Sequence, residues 1–225
     1  MNIHQILAGF ADGDAISGEA IQMRKILRGW GFESHIYCDP ARVSPSLCNQ
    51  CFSLDEYSAT AEDICLHHYG INSPSTDLFL SSPSRKIIIY HNITPEEYFR
   101  GFDDDVAAQL GAGRERLRDI CRYVDGVWTV SGFNASELRE LGVENVRVFP
   151  LLFSPAALDL DPEPQILSKL AGGLKNILFV GRIAPNKRVE DLIRAFAWYN
   201  KVLNPYSRLI IVGSNRSAPR YYAML

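Results

Sequence analysis

Residues 176–196 read NILFVGRIAPNKRVEDLIRAF: an apolar run, a turn carrying Arg182, Lys187 and Arg188, then a helix-forming stretch. Arg182 and Lys187 flank Pro185, in a loop that brings both toward the carboxyl end of a buried strand and beside the N-terminus of the next helix. Two cations next to the positive end of a helix repel each other and the dipole unless an anion lies among them. A diphosphate suits them, because its oxygens match both a guanidinium fork and a point-charge ammonium. Glu190 and Asp191 offer the plainer alternative of a local ion-pair cluster. The phosphate site is the preferred reading.

In open α/β sheets, ligands bind beyond the carboxyl ends of strands, and four more stretches fall at such ends. Gly9 and Gly13 precede a helix N-terminus, where free N–H groups favour a negative group, although the pattern is not GxGxxG and a simple packing turn would look the same. His67 and His68, His91 with Asn92, and Ser131 to Asn134 follow the other strands. His67 and His68 offer no third metal ligand and are read as cleft lining at most. The apolar run KIIIY delivers His91 to the cleft edge, so a functional role is preferred there over a satisfied structural histidine. Cys48 and Cys51 form a lone CNQC after a loop-like stretch, without the second ligand pair of a metal site or the strand-to-helix setting of a redox motif.

Elements must position these residues, and hydrophobic periodicity supplies them in alternation. A strand at residues 4–8 leads to a helix at 16–28, with Ile16, Ala20, Met23 and Leu27 on one face. Strands follow at 34–38, 64–67 and 86–90. Thr94-Pro95-Glu96-Glu97 has the form of a capping box, so a helix is expected just after Asn92. A longer helix at 105–122, a strand at 126–130, a helix at 134–141 and a strand at 146–149 complete the set. The alternation predicts a parallel sheet covered on both faces, a Rossmann-like unit over residues 1–153. Residues 154–175 gather prolines and read as a linker. A second Rossmann-like unit opens at 176–225 with a strand at 177–180, a helix at 189–202 and a strand at 209–212. Two strands fall short of the roughly five or six such sheets need, so this unit is expected to be incomplete.

The chain has 225 residues, 47% of them hydrophobic, which is ample for a core. A formal net charge of −3 argues against a general nucleic-acid partner. No run approaches the roughly 18 apolar residues of a membrane span. The start MNIHQILAGFADGD is too short and too acidic for a signal peptide, which gives a cytoplasmic expectation. Five cysteines, with Cys65 and Cys121 in apolar runs, read as reduced thiols.

GRIAPNKRVEDLIRAF, with NILFV before it and LIIVGS after it, resembles the opening of the C-terminal domain in retaining family 4 glycosyltransferases of the GT-B fold. GDAISGEA, HHYGINSP, HNITPEEYF and VSGFNASELRELG extend the resemblance through the first domain, most closely to bacterial members that build surface polysaccharides. It covers the chain from end to end. The resemblance implies transfer of a sugar from a nucleotide-sugar donor to a saccharide or lipid-linked saccharide, with retention of configuration. Arg182 and Lys187 would hold the donor diphosphate and stabilise its charge as the glycosidic bond breaks, in place of a metal or other cofactor. His91 would act on the transferred sugar, Gly13, Gly181 and Gly213 would approach the donor, and Asn92, Ser131 and Asn134 would line the acceptor side. The family carries a glutamate pair further along the second domain than Leu225, so the 225-residue chain alone is expected to be inactive.

Two other classes compete with the enzyme: a non-catalytic nucleotide-binding or scaffold fragment, and an epimerase or phosphorylase on the same architecture. Arg114, Arg116, Arg118 and Arg122 enrich one helix, and a lipid-linked acceptor would bring them to the inner membrane face. A solvated face with interspersed acids is the preferred account.

Overall fold

The computed structural model describes residues 1–155, 159–216 and 218–225. Its elements are β1 (Ile3–Leu7), α1 (Ala15–Gly29), β2 (Ile36–Cys38), β3 (Phe52–Ser53), β4 (Ile64–Tyr69), α2 (Pro74–Ser81), β5 (Arg85–Tyr90), α3 (Asp104–Arg122), β6 (Gly126–Thr129), α4 (Gly132–Glu140), β7 (Val146–Val148), α5 (Pro164–Leu170), β8 (Lys175–Val180), α6 (Val189–Val202), β9 (Ser207–Val212) and α7 (Pro219–Met224). They divide into two compact units: Met1–Thr94 with Gln109–Pro155, and Pro95–Ala108 with Ala156–Leu225.

In the first unit seven parallel strands lie in the order β3-β2-β1-β4-β5-β6-β7. The order reverses between β1 and β4, which pair from Ile3↔Ile64 to Leu7↔His68. Both faces are covered, as a parallel sheet requires. On one, Met23 and Leu27 of α1 pack with Ile3, Leu66 and Ile89; on the other, Phe79 of α2 packs with Ile6, Tyr37 and Cys65. Each such side chain contributes roughly 1.5–3 kcal/mol on full burial. α1 starts at Asp14, whose carboxylate accepts from the Ser17 N–H at 2.9 Å.

The helix expected after Asn92 is not there. Pro95 is extended (ψ 132°), the chain makes a single 3-10 turn at Glu96–Tyr98, and Gly101 with φ +80° ends it. A capping box does form elsewhere, at Ser53 and Glu56. Periodicity also passed over β3, α2 and α5, the last lying in the stretch read as a linker.

In the second unit β8 and β9 pair in parallel from Lys175↔Ser207 to Val180↔Val212. Ile183, Val189, Ala218 and Tyr221 form its buried core, with Phe102, Phe179, Ile193 and Ile211 against them. Phe102 meets Tyr221 edge to face at 5.3 Å, which ties the segment around it to this unit. Phe179 and Ile211 are therefore covered, whereas Leu178 and Val180, pointing to the other face, are 62% and 70% exposed.

Candidate functional site

The order reversal between β1 and β4 marks where ligands bind in doubly wound sheets. Beside it, side chains from two strands, one helix and the residue that follows β5 meet in the first unit. Gln5 on β1 donates to the Ala20 carbonyl of α1 at 3.1 Å. Its Oε1 lies 2.9 Å from His68 Nε2, and His68 Nδ1 lies 3.0 Å from His91 Nε2. The two ring planes lie within 18° of parallel, with centroids 5.2 Å apart, so the rings meet edge to edge. Glu19 of α1 closes the group. Its Oε1 accepts from the Leu152 N–H at 3.2 Å, and its Oε2 stands 3.4 Å from His91 Nε2 and 3.7 Å from His68 Nδ1 without a hydrogen-bond partner.

Burial sets the charge of this group. Glu19 is fully buried, and loss of solvent raises its carboxyl to about 7, opposed by the Leu152 N–H. Burial lowers His91 to about 4, with Asp14 pulling the other way and His67 adding to the fall. His68 is pushed well below its ordinary value by burial, then by His91 and His67. Both imidazoles are thus neutral near pH 7, so the carboxylate finds no cation beside it. Ligand atoms of Glu19, His68 and His91 lie within 4.8 Å of one another, a spacing a metal could use. No fourth histidine, cysteine or carboxylate joins them among the described residues. We read the 3.0 Å contact as an N–H···N bond.

Alternation along β4 separates the histidine pair. His67 faces α2, fully buried between the Ile6 carbonyl and Thr76 Oγ1, both at 3.1 Å. Reading both histidines as cleft lining is corrected: His67 is core and His68 a network member. Gln5 and Glu19 were missed. Glu19 had a signal, since it falls inside the apolar stripe of Ile16, Ala20, Met23 and Leu27, where a carboxylate needs a reason to be.

The remaining candidates of the first unit are held locally. Gly13 has φ +69° with open space around it, and Asp14 already caps the helix whose N-terminus was read as an anion site. Asn92, with φ 64°, turns the chain directly after His91. Ser131 caps α4 by accepting from the Asn134 N–H at 3.2 Å, and buried Asn134 donates to the Tyr90 carbonyl at 3.4 Å. Arg114 pairs with Glu137 of α4, Arg116 with Asp77 of α2 and Arg122 with Asp119 of its own helix. No described helix is long and apolar enough to cross a membrane. Cys48 and Cys51 are unbonded, and burial raises the Cys65 and Cys121 thiols to about 12, far from reactivity.

In the second unit the β8–α6 turn carries Gly181, Arg182 and Lys187. Gly181 N–H bonds the Val212 carbonyl at 2.9 Å. A Cβ on Gly213 would sit 1.8 Å from the Gly181 oxygen, so the strand ends meet there in a way only glycine allows. Arg182 and Lys187 are both exposed. Asp191 pairs with Arg188 at 2.5 Å and Arg194 at 3.2 Å, and Glu190 accepts from the Tyr221 hydroxyl. Both acids of the helix's first turn are therefore occupied, and among the described residues Arg182 and Lys187 have no carboxylate partner. Arg188 sits in the left-handed region at φ 48°, a conformation costing a non-glycine residue of order 1–2 kcal/mol.

No family model matches the chain, and no curated protein matches it. Solved structures do. An alpha-glucosyltransferase in complex with UDP-glucose and DNA containing an abasic site aligns with TM-score 0.60 and 13% identity over 100% of this chain and 59% of that one. The E. coli trehalose-6-phosphate structure bound with UDP-2-fluoro glucose gives TM-score 0.58 and 12% identity over 99% and 67%. A glycosyltransferase from Rickettsia africae gives 0.51 and 13% over 95% and 68%. The chain thus spans 59% of the length of the first of these. At such identities the likeness shows the fold: an α/β chain whose parallel seven-stranded sheet matches the Rossmann-like domains of GT-B glycosyltransferases.

Proposed function

We propose that this chain belongs to an enzyme moving a sugar from a nucleotide-sugar to a saccharide or lipid-linked saccharide acceptor, with retention of configuration. One observation carries the reading. Asp191 is paired with Arg188 and Arg194, Glu190 is turned to the Tyr221 hydroxyl, and neither acid touches Arg182 or Lys187, which leaves two cations without a carboxylate partner, among the described residues, beside a helix N-terminus. A diphosphate answers that arrangement, and preorganised cations stabilise the charge a leaving diphosphate gains without needing a metal. The neighbours captured with UDP-glucose, UDP or UDP-2-fluoro glucose support a nucleotide-sugar as donor. His91 would meet the sugar. The motif resemblance adds a family 4 relationship and a bacterial surface polysaccharide as product; we place its action in the cytoplasm, with peripheral contact at the inner membrane face where the acceptor is lipid-linked. DNA appears with some neighbours, but the −3 net charge of this chain favours a saccharide.

Calorimetric titration with UDP and UDP-glucose tests the phosphate clamp. Arg182→Ala and Lys187→Ala should each weaken UDP binding about tenfold or more, the loss of a charge-assisted contact. Unchanged affinity in both variants would remove the diphosphate from this turn.

A further inference from the structure

Gln5, His68 and His91 form a chain of hydrogen bonds whose direction is fixed from one end. Gln5 spends its amide N–H on the Ala20 carbonyl, an acceptor that cannot reverse, so its Oε1 faces His68 Nε2 as an acceptor. His68 must carry its proton on Nε2. The ring is neutral, so Nδ1 is bare and can only accept. His91 Nε2 faces that bare nitrogen at 3.0 Å and must donate to it. A neutral His91 with its proton on Nε2 has a bare Nδ1, and no described residue donates a hydrogen bond to it. Glu19 Oε2 faces the same two rings from α1 without a hydrogen bond to either, and above about pH 7 its carboxylate can only accept, so it leaves the direction set by Gln5 in place; Asp14 acts on the charge of His91 from the helix cap, and His67 on both rings from β4.

We propose that Gln5 and His68 are positioning residues that lock His91 in its Nε2–H tautomer, so that Nδ1 stands as a hydrogen-bond acceptor for a hydroxyl of the bound sugar. The sugar-facing part rests on the function proposed above; the lock does not. A bare imidazole nitrogen accepts from O–H and repels phosphate or carboxylate oxygen, so His91 selects a neutral polyol over an anionic group.

Long-range nitrogen–proton NMR correlation of the imidazoles at pH 7.5, in residues 1–225, reads the tautomers directly. His68 and His91 should both show protonated Nε2 and bare Nδ1. Gln5→Met removes the acceptor that sets the direction and should give a mixed pattern at both rings. A proton on His91 Nδ1 in the parent, or a Gln5→Met pattern identical to the parent, overturns the lock. The parent spectrum alone is decisive if Gln5→Met does not fold. Adding UDP-glucose should move the His91 Nδ1 resonance upfield while UDP alone leaves it in place; binding of UDP-glucose without that movement overturns the acceptor role. If no nucleotide-sugar shifts the melting temperature while the ring pattern holds, the proposed function fails, the lock stands and its sugar-facing part is withdrawn.

Discussion

His68 Nδ1 and His91 Nε2 face each other at 3.0 Å, and burial keeps both rings neutral. That neutrality makes stability depend on pH. His67 and His91 fall from the ordinary 6.5 to about 4, so between those values the unfolded chain binds protons that the folded chain refuses. Stability is full above 6.5 and is lost as pH falls toward 4, about 3 kcal/mol for each ring. His68, pushed well below its ordinary value by burial, adds to the loss. Urea unfolding followed by circular dichroism should show the midpoint dropping steeply below pH 6.5. A flat midpoint down to pH 4.5 would mean that the rings are already charged in the folded protein.

Glu19 works in the opposite direction. Its carboxyl rises from 4.5 to about 7 on folding, so the folded state holds an extra proton in that window and loses stability as pH rises through it. Glu19→Gln keeps an acceptor for the Leu152 N–H and removes the charge. At pH 8 it should be more stable than the parent by about 3 kcal/mol, with the gain vanishing below pH 4.5. A variant less stable than the parent at pH 8 would show that the carboxylate is compensated by something other than solvent.

The strand ends that carry the candidates were legible because apolar runs such as KIIIY and NILFV form buried parallel strands with few alternatives. α1 showed itself through one stripe. α2 and α5 did not, since a serine-rich eight-residue segment and a seven-residue helix behind Glu163-Pro164 carry little periodicity. The Thr94 pattern misled because a capping box needs a continuing helix, whereas α3 starts later, where the Asp103 carboxylate accepts from the Val106 N–H at 3.0 Å. Arg182 and Lys187 could be located from the turn, but whether Glu190 and Asp191 neutralise them depended on Tyr221, Arg188 and Arg194, and those partners appear only on folding. Gln5 stayed hidden because its role comes from cross-strand neighbours.

In a full-length version, against a donor and acceptor that turn over, Arg182→Ala and Lys187→Ala should each raise the barrier by roughly 2–4 kcal/mol if they act as oxyanion-type stabilisers. His91→Ala should depress turnover while leaving UDP affinity nearly intact, since an imidazole with a bare nitrogen has nothing to offer a phosphate. Rates within about twofold of the parent in both cation variants would sink the clamp. A large loss of UDP affinity with normal turnover in His91→Ala would place that histidine on the nucleotide instead.

Gly213 and Gly18 separate a glycine that is required from one that is merely present. A Cβ at Gly213 would fall 1.8 Å from the Gly181 oxygen and 2.7 Å from its carbonyl carbon, and both atoms are backbone at the end of a paired strand. No rotamer relieves such a clash, so Gly213→Ala must push β9 from β8 and should cost 1–3 kcal/mol or more, roughly the range for overpacking. The loss should appear in the second unit alone, as faster proteolysis between β8 and α7 with the first unit's melting unchanged. Gly18 lies exposed within α1, and a Cβ there meets nothing within 4 Å. Gly18→Ala removes backbone freedom from the unfolded chain and should stabilise the first unit by roughly 0.5–1 kcal/mol. Equal melting behaviour of the two variants would mean that the β8 and β9 ends do not approach as closely as the 2.9 Å bond from the Gly181 N–H to the Val212 carbonyl requires.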